Sequence, residues 1–109
     1  MTPLTLSTDR GVDGTPRVTA TGEIDISNIH VFTEALTSAS DGSARPITVD
    51  MSAVKYLDSA GVNVLFKHAD EIDRLHLIVH PLLLRVFAIT GLTEIATVES
   101  APAGEGRNS

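Results

Sequence analysis

I-T-V-D-M-S-A-V-K-Y-L-D-S-A-G-V-N-V-L, the stretch from Ile47 to Leu65, decides the fold. Ile47, Val49 and Met51 alternate with Thr48 and Asp50, the period of two that marks a half-buried strand. Pro46 stands at its entry, where a missing N–H does least harm. Asp50 and Ser52 are turn formers, which predicts a short strand. Val54, Tyr56 and Leu57 are too apolar for a solvated loop and are expected to cross the core surface as an apolar segment. Asp58-Ser59 then opens a helix, in which Val62, Leu65, Phe66, Ala69 and Ile72 recur at spacings of three and four as one buried face running to about Asp73. Ser59 falls at or beside the N-cap, a position that by itself explains a serine.

Toward the N-terminus, Leu4 and Leu6 alternate with Thr5 and Ser7 as a weak first strand. Gly11 and Asp13-Gly14 form a turn signature, and Val18 and Ala20 alternate with polar residues between Pro16 and Gly22, so the two strands make a hairpin. Gly22-Glu23-Ile24-Asp25 leaves the second strand. Ile29, Phe32, Leu36 and Ala39 then follow at helical spacing, with Asp25 or Ser27 as the expected cap and an end near Ser40-Asp41-Gly42.

Toward the C-terminus, Leu75, Leu77 and Val79 read as a further strand, and Pro81 leads a third helix, Leu82 to Thr90, stopped by Gly91. Ile95 to Val98 supplies a last strand. Residues 100–109, S-A-P-A-G-E-G-R-N-S, lack periodicity and predict a disordered tail behind one domain spanning residues 1–99. The order β-β-α-β-α-β-α-β implies an α/β domain with a mixed, partly parallel sheet of about five strands and three main helices. Asp25 and Ser59 both lie where a strand leads into a helix, and are expected on the same carboxyl edge of the sheet.

Composition narrows the chemistry. With 109 residues, 42% of them apolar, the chain suffices for one core. It has no cysteine, so thiolate metal sites, disulfides and cysteine nucleophiles are excluded. Fourteen acidic against eight basic side chains give a formal charge of −6. The scattered Lys and Arg positions argue against nucleic acid, and the net negative charge favours a partner with a basic surface. The N-terminal residues show no basic start before an apolar run, and no apolar segment approaches the ~20 residues of a membrane span, so a cytoplasmic protein without membrane insertion is expected.

No G-x-x-x-x-G-K-[ST] or G-x-G-x-x-G cradle occurs, and Ser59 sits in D-S-A-G rather than G-x-S-x-G. His76 and His80, four residues apart on or beside a strand, would be separated by ~13 Å, too far to share a metal ion, and read as surface or strand-flank residues. Asp58, Asp70, Glu71 and Asp73 suit a helix start or a solvated face better than an acid–base pair. The expectation is a protein without catalytic residues, metal or cofactor.

The segment D-M-S-A-V-K-Y-L-D-S-A-G-V-N-V-L resembles the signature of the STAS domain (sulfate transporter and anti-sigma factor antagonist), in particular the free-standing bacterial anti-sigma factor antagonists. G-E-I-D at Gly22 to Asp25 and R-V-F-A-I-T-G-L at Arg85 to Leu92 agree with it in order, so the resemblance covers about residues 4 to 98. It implies a STAS-like single domain that binds an anti-sigma factor with serine-kinase activity, frees a sigma factor, and is switched off by phosphorylation of Ser59. The implied partner surface comprises Asp25, Asp58, Ser59, Ala60, Gly61 and Asn63.

The chain departs from the family at Ala60, where many antagonists carry a second serine. Its third helix is apolar nearly all round, with Leu84 and Ala88 at positions often polar in relatives, which implies either unusual burial or a patch for a second copy or another apolar partner. The usual C-terminal helix has no counterpart after Val98. The alternative implied by the same resemblance is an adaptor subunit, never phosphorylated, of a larger signalling or lipid-transport complex. A small-molecule or nucleotide sensor has no residue pattern in its support.

Overall fold

The computed structural model describes residues 3–11, 14–40, 46–71 and 74–101. Strands β1 (Thr5–Arg10) and β2 (Pro16–Ile24) are followed by helix α1 (Ile29–Ser40), β3 (Ile47–Leu57), α2 (Ser59–Glu71), β4 (Leu75–Val79), α3 (Pro81–Thr90), a 3-10 turn (Leu92–Glu94) and β5 (Thr97–Ser100). The five strands lie in the sheet in chain order. β1 runs antiparallel to β2, and β2 through β5 are parallel. The mixed sheet and element order agree with the sequence.

Sequential parallel strands joined by crossovers of one hand place their helices on one face of the sheet. The strands carry that arrangement in their burial: Ile47, Val49 and Met51 of β3 and Leu75, Leu77 and Val79 of β4 face the core, whereas Thr48, Asp50, His76 and Ile78 remain partly solvated on the other face. Phe32 and Leu36 of α1, Leu65 of α2 and Phe87 of α3 complete one continuous core with no exposure of their own. No described helix is long and apolar enough to cross a membrane.

The main correction concerns β3. It does not stop at Met51 but continues to Leu57, with its register against β2 shifting once between Thr19 and Thr21 and again between Gly22 and Glu23. Each shift adds a residue on β3, so the buried positions move from every second residue to Met51, Val54 and Leu57. Asp50 and Ser52 do make the local bonds of turn formers, since the Ser52 N–H and hydroxyl both donate to Asp50 Oδ1 at 3.0 and 2.7 Å. They bend the strand instead of ending it. Tyr56 is half exposed, not packed on the core.

Other boundaries moved by a few residues. β1 extends to Arg10, and the turn behind it is closed by Gly11 N–H on Thr15 C=O and Gly14 N–H on Gly11 C=O. The expected Asp13 lies outside the described residues, as do Asp41-Gly42 after α1 and Ile72-Asp73 after α2. β2 continues through Ile24. Gly22 within it has φ +112 and abuts the Pro3 carbonyl, so a side chain there has neither the backbone nor the room. β5 begins at Thr97, two residues later than expected, and reaches Ser100, with Ala101 N–H donating to Val79 C=O at 2.8 Å. Most of the expected tail, residues 102–109, lies outside the described residues.

Helix α3 is not unusually buried. Leu83 and Phe87 are buried in the core and Val86 packs partly against it, while Leu82 and Ile89 are 67% and 77% exposed and project from nearly the same side of the helix. Leu84 is 36% exposed and Ala88 is exposed on a different side, so the larger apolar exposure falls on Leu82 and Ile89. The helix starts at Pro81 with His80 as its N-cap, His80 Nδ1 accepting from Leu82 N–H at 3.0 Å. It ends at Gly91 with φ 87, as its sequence position predicts.

Candidate functional site

The carboxyl ends of β2 and β3 meet in register, Ile24 opposite Leu57, and Asp58 N–H extends the ladder by donating to Ile24 C=O at 3.2 Å. Both chains turn into helices at once, so the β2–α1 loop (residues 25–28) and the start of α2 form one surface. Asp25, in the β2–α1 loop, and Ser59, at the start of α2, therefore lie at the same sheet edge, as their strand-to-helix positions predict.

Asp58, not Ser59, caps α2. Its Oδ1 accepts from Gly61 N–H at 3.2 Å and its carbonyl accepts from Val62 N–H at 3.1 Å, the two bonds that define an N-cap. Its other oxygen, Oδ2, accepts from Ile26 N–H at 3.1 Å across the junction. One carboxylate thus starts the helix and holds the neighbouring loop. Sequence reasoning took Asp58 for a helix-start residue and missed the second bond, whose partners are 32 residues apart.

Ser59 occupies the first position of α2 and is exposed, and its hydroxyl makes no hydrogen bond among the described residues. Ala60 beside it is half-buried and Asn63, one turn on, is exposed. Gly61 is buried: a Cβ there would strike Leu57 Cδ1 and lie 3.1 Å from Ile24 Cγ2, so its lack of a side chain serves the seating of α2 on the sheet. Any contact it makes with another molecule is through its neighbours.

The loop from Asp25 to Asn28 is internally fastened. Asp25 Oδ1 accepts from Ser27 N–H at 2.9 Å and from the Ser27 hydroxyl, and these bonds hold the Asp25 carboxyl below its ordinary value, the hydroxyl contributing most. The expected capping role falls to neither of them. α1 begins at Ile29, Asn28 C=O accepts its first bonds, and the Asn28 side chain turns back to accept from Asp25 N–H at 3.0 Å and donate to Glu23 C=O at 2.9 Å. An asparagine directly before the first periodic residue was the available signal for this position.

The result is an internally hydrogen-bonded, acidic surface that carries the exposed Ser59 hydroxyl and Ile26, 76% exposed. Two described grooves lie elsewhere, at the amino ends of β3 to β5 around Arg74, His76 and Thr97. His76 is paired there with Glu99 at 2.8 Å, while His80 caps α3. His68, which sequence spacing did not single out, is buried in α2 and donates from Nδ1 to Val64 C=O at 3.0 Å.

A family model described as "Mlab, STAS domain" matches residues 7–98. Among solved structures, an anti-sigma factor antagonist from Mycobacterium paratuberculosis superposes with a TM-score of 0.80 at 23% identity, over 89% of this chain and 86% of that one. The antagonist SpoIIAA in its unphosphorylated form gives 0.71 at 20% identity, over 93% and 91%. An uncharacterised protein with a SpoIIAA-like fold from Shewanella loihica gives 0.62 at 16%, over 95% and 90%. These likenesses show a common fold. The curated proteins contain no match to the chain.

Proposed function

The chain belongs to the STAS domain family, and on that premise we propose that it is an anti-sigma factor antagonist whose binding is ended by phosphorylation of Ser59. In its unmodified state it binds an anti-sigma factor that is also a serine kinase, so that a sigma factor is released. It acts as a partner-switching protein in transcription control and catalyses nothing itself. The observation that carries this reading is the Ser59 hydroxyl: exposed, unbonded among the described residues and relieved of the capping role by Asp58.

Physical chemistry makes this position suited to a switch. A phosphoserine adds about −1.5 to −2 charges at neutral pH, and a helix N-terminus tolerates that charge through its free N–H groups and dipole, so the fold survives the modification. The docking surface does not. The added dianion stands next to the Asp58 carboxylate and near Asp25, in a patch that a partner must desolvate. A loss of ~3 kcal/mol weakens binding more than a hundredfold.

The test is incubation of the protein with ATP and anti-sigma kinases encoded in its own genome, with the phosphate located by mass spectrometry. Label on Ser59 is expected. No label with every kinase sinks the switch. A second reading, the unphosphorylated adaptor subunit of a larger complex, is favoured by one observation, that the matching family model is named for Mlab and not for an antagonist. It predicts stable co-purification with a complex that is unchanged by Ser59→Glu.

A further inference from the structure

Ile26 stands at the tip of the β2–α1 loop with 76% of its surface in water. A lone exposed apolar side chain needs no explanation, but the backbone that carries this one is held in place. Its N–H is bonded to Asp58 Oδ2 at 3.1 Å, and the residues on either side are locked by the Asp25–Ser27 and Asn28–Glu23 bonds. Loop tips are ordinarily polar and loose. Holding an apolar side chain out on a fastened loop removes in advance the ordering entropy that docking otherwise costs.

Its surroundings define what fits over it. Asp25 and Asp58 flank the loop, and Tyr56, half exposed, stands opposite Glu23 at the ends of the same two strands. An apolar tip flanked by two carboxylates, on a chain of net charge −6, is complementary to a shallow apolar pocket rimmed by Arg or Lys.

We propose that Ile26 is the apolar anchor of the partner interface, entering such a basic-rimmed pocket on the anti-sigma factor, and that Asp58 is the positioning residue that presents it beside Ser59. A negative charge added to Ser59 repels the Asp58 carboxylate and competes for the helix N–H groups it holds. The bond to Ile26 N–H is weakened, so the charge acts on the anchor as well as on the surface around the serine. The proposal rests on the antagonist reading of Ser59 and extends it to a loop that the resemblance did not assign beyond Asp25.

Two measurements on the full chain test it. Amide hydrogen exchange by NMR needs no partner. Asp58→Ala and Ser59→Glu should each speed exchange at Ile26 about tenfold or more, with the Val49 amide in the middle of the sheet keeping its protection relative to global stability. An Ile26 amide indifferent to both variants overturns the link to Asp58. Binding is then measured with the purified anti-sigma kinase that labels Ser59. Ile26→Ser should weaken it about tenfold or more, while Ile89→Ser on α3 stays within about twofold.

Equal affinity of wild type and Ile26→Ser, with Ser59 still labelled, overturns the anchor but leaves the antagonist reading intact. If no anti-sigma factor binds the unmodified wild type, the antagonist reading fails and takes the anchor with it. A loss on Ile89→Ser without one on Ile26→Ser places docking on α3 and overturns the proposal. Ile26→Ala serves as the second variant if Ile26→Ser lowers the thermal midpoint.

Discussion

Replacing Asp58 with alanine removes two hydrogen bonds at once, and the structure gives the sum. Loss of an N-cap costs ~1 kcal/mol in a typical helix. Loss of the bond from Ile26 N–H to a charged acceptor costs ~1 kcal/mol more, below the ~1.5–3 kcal/mol usual for a charged acceptor because water reaches this junction. Asp58→Ala should therefore destabilise the domain by about 2 kcal/mol, or about 8 °C in thermal midpoint for a domain of this size.

Ser59→Ala is the control that makes the number informative. The Ser59 hydroxyl is exposed and makes no hydrogen bond among the described residues, and alanine is the better helix former, so stability should stay within ~0.5 kcal/mol of wild type. Urea unfolding followed by far-ultraviolet circular dichroism reads both variants. An unchanged m-value ensures that the midpoint shift reports stability. Ser59→Ala costing as much as Asp58→Ala would refute the assignment of the cap, and with it the argument that Ser59 is spared for modification.

Other expectations follow from the same geometry. Gly61→Ala drives a methyl against Leu57 and Ile24, and overpacking of ~1–3 kcal/mol exceeds the ~1 kcal/mol gained in helix propensity; a net loss near 1 kcal/mol in denaturation is expected, and a stabilised variant would contradict the seating of α2. Phe87→Ala should cost ~3–5 kcal/mol, whereas Leu82→Ser, on the exposed side of the same helix, should cost less than ~0.5. Equal costs would mean that α3 is oriented otherwise. For pH, the depressed Asp25 carboxyl contributes stability that is full above the unfolded aspartate pKa of about 3.9 and is lost as pH falls through the lower folded value. NMR titration should place Asp25 below a free aspartate, and Ser27→Ala should raise it. An unmoved midpoint would show that the Ser27 hydroxyl is not the cause.

Element order, the hairpin, the buried faces of α1 and α2 and the Gly91 stop were all legible in the chain, because each is written in local spacing or in a residue whose backbone preference is its own. The length of β3 was not. Asp50 and Ser52 carry turn chemistry in either case, and only pairing with β2 on one side and β4 on the other turns that chemistry into bulges within a continuing strand. His80 as the cap of α3 was hidden for a similar reason, since its ring competes with no local signal strong enough to name it.

At the site, sequence alone determined that a serine follows an aspartate where an apolar strand enters a helix, and that a second aspartate leaves the preceding strand for a helix in the same way. Tertiary structure decided what each does. Parallel pairing of β2 with β3 brings Ile26 N–H to the free oxygen of Asp58, a partner 32 residues away, and Gly61 packs against a side chain from each strand. Asp58 spends both oxygens on the fold, and Ser59 is left with a hydroxyl that water can reach. A hydrogen bond between distant residues leaves no periodic mark in the chain, which is why the division of labour between neighbours 58 and 59 could be read only after the strands had met.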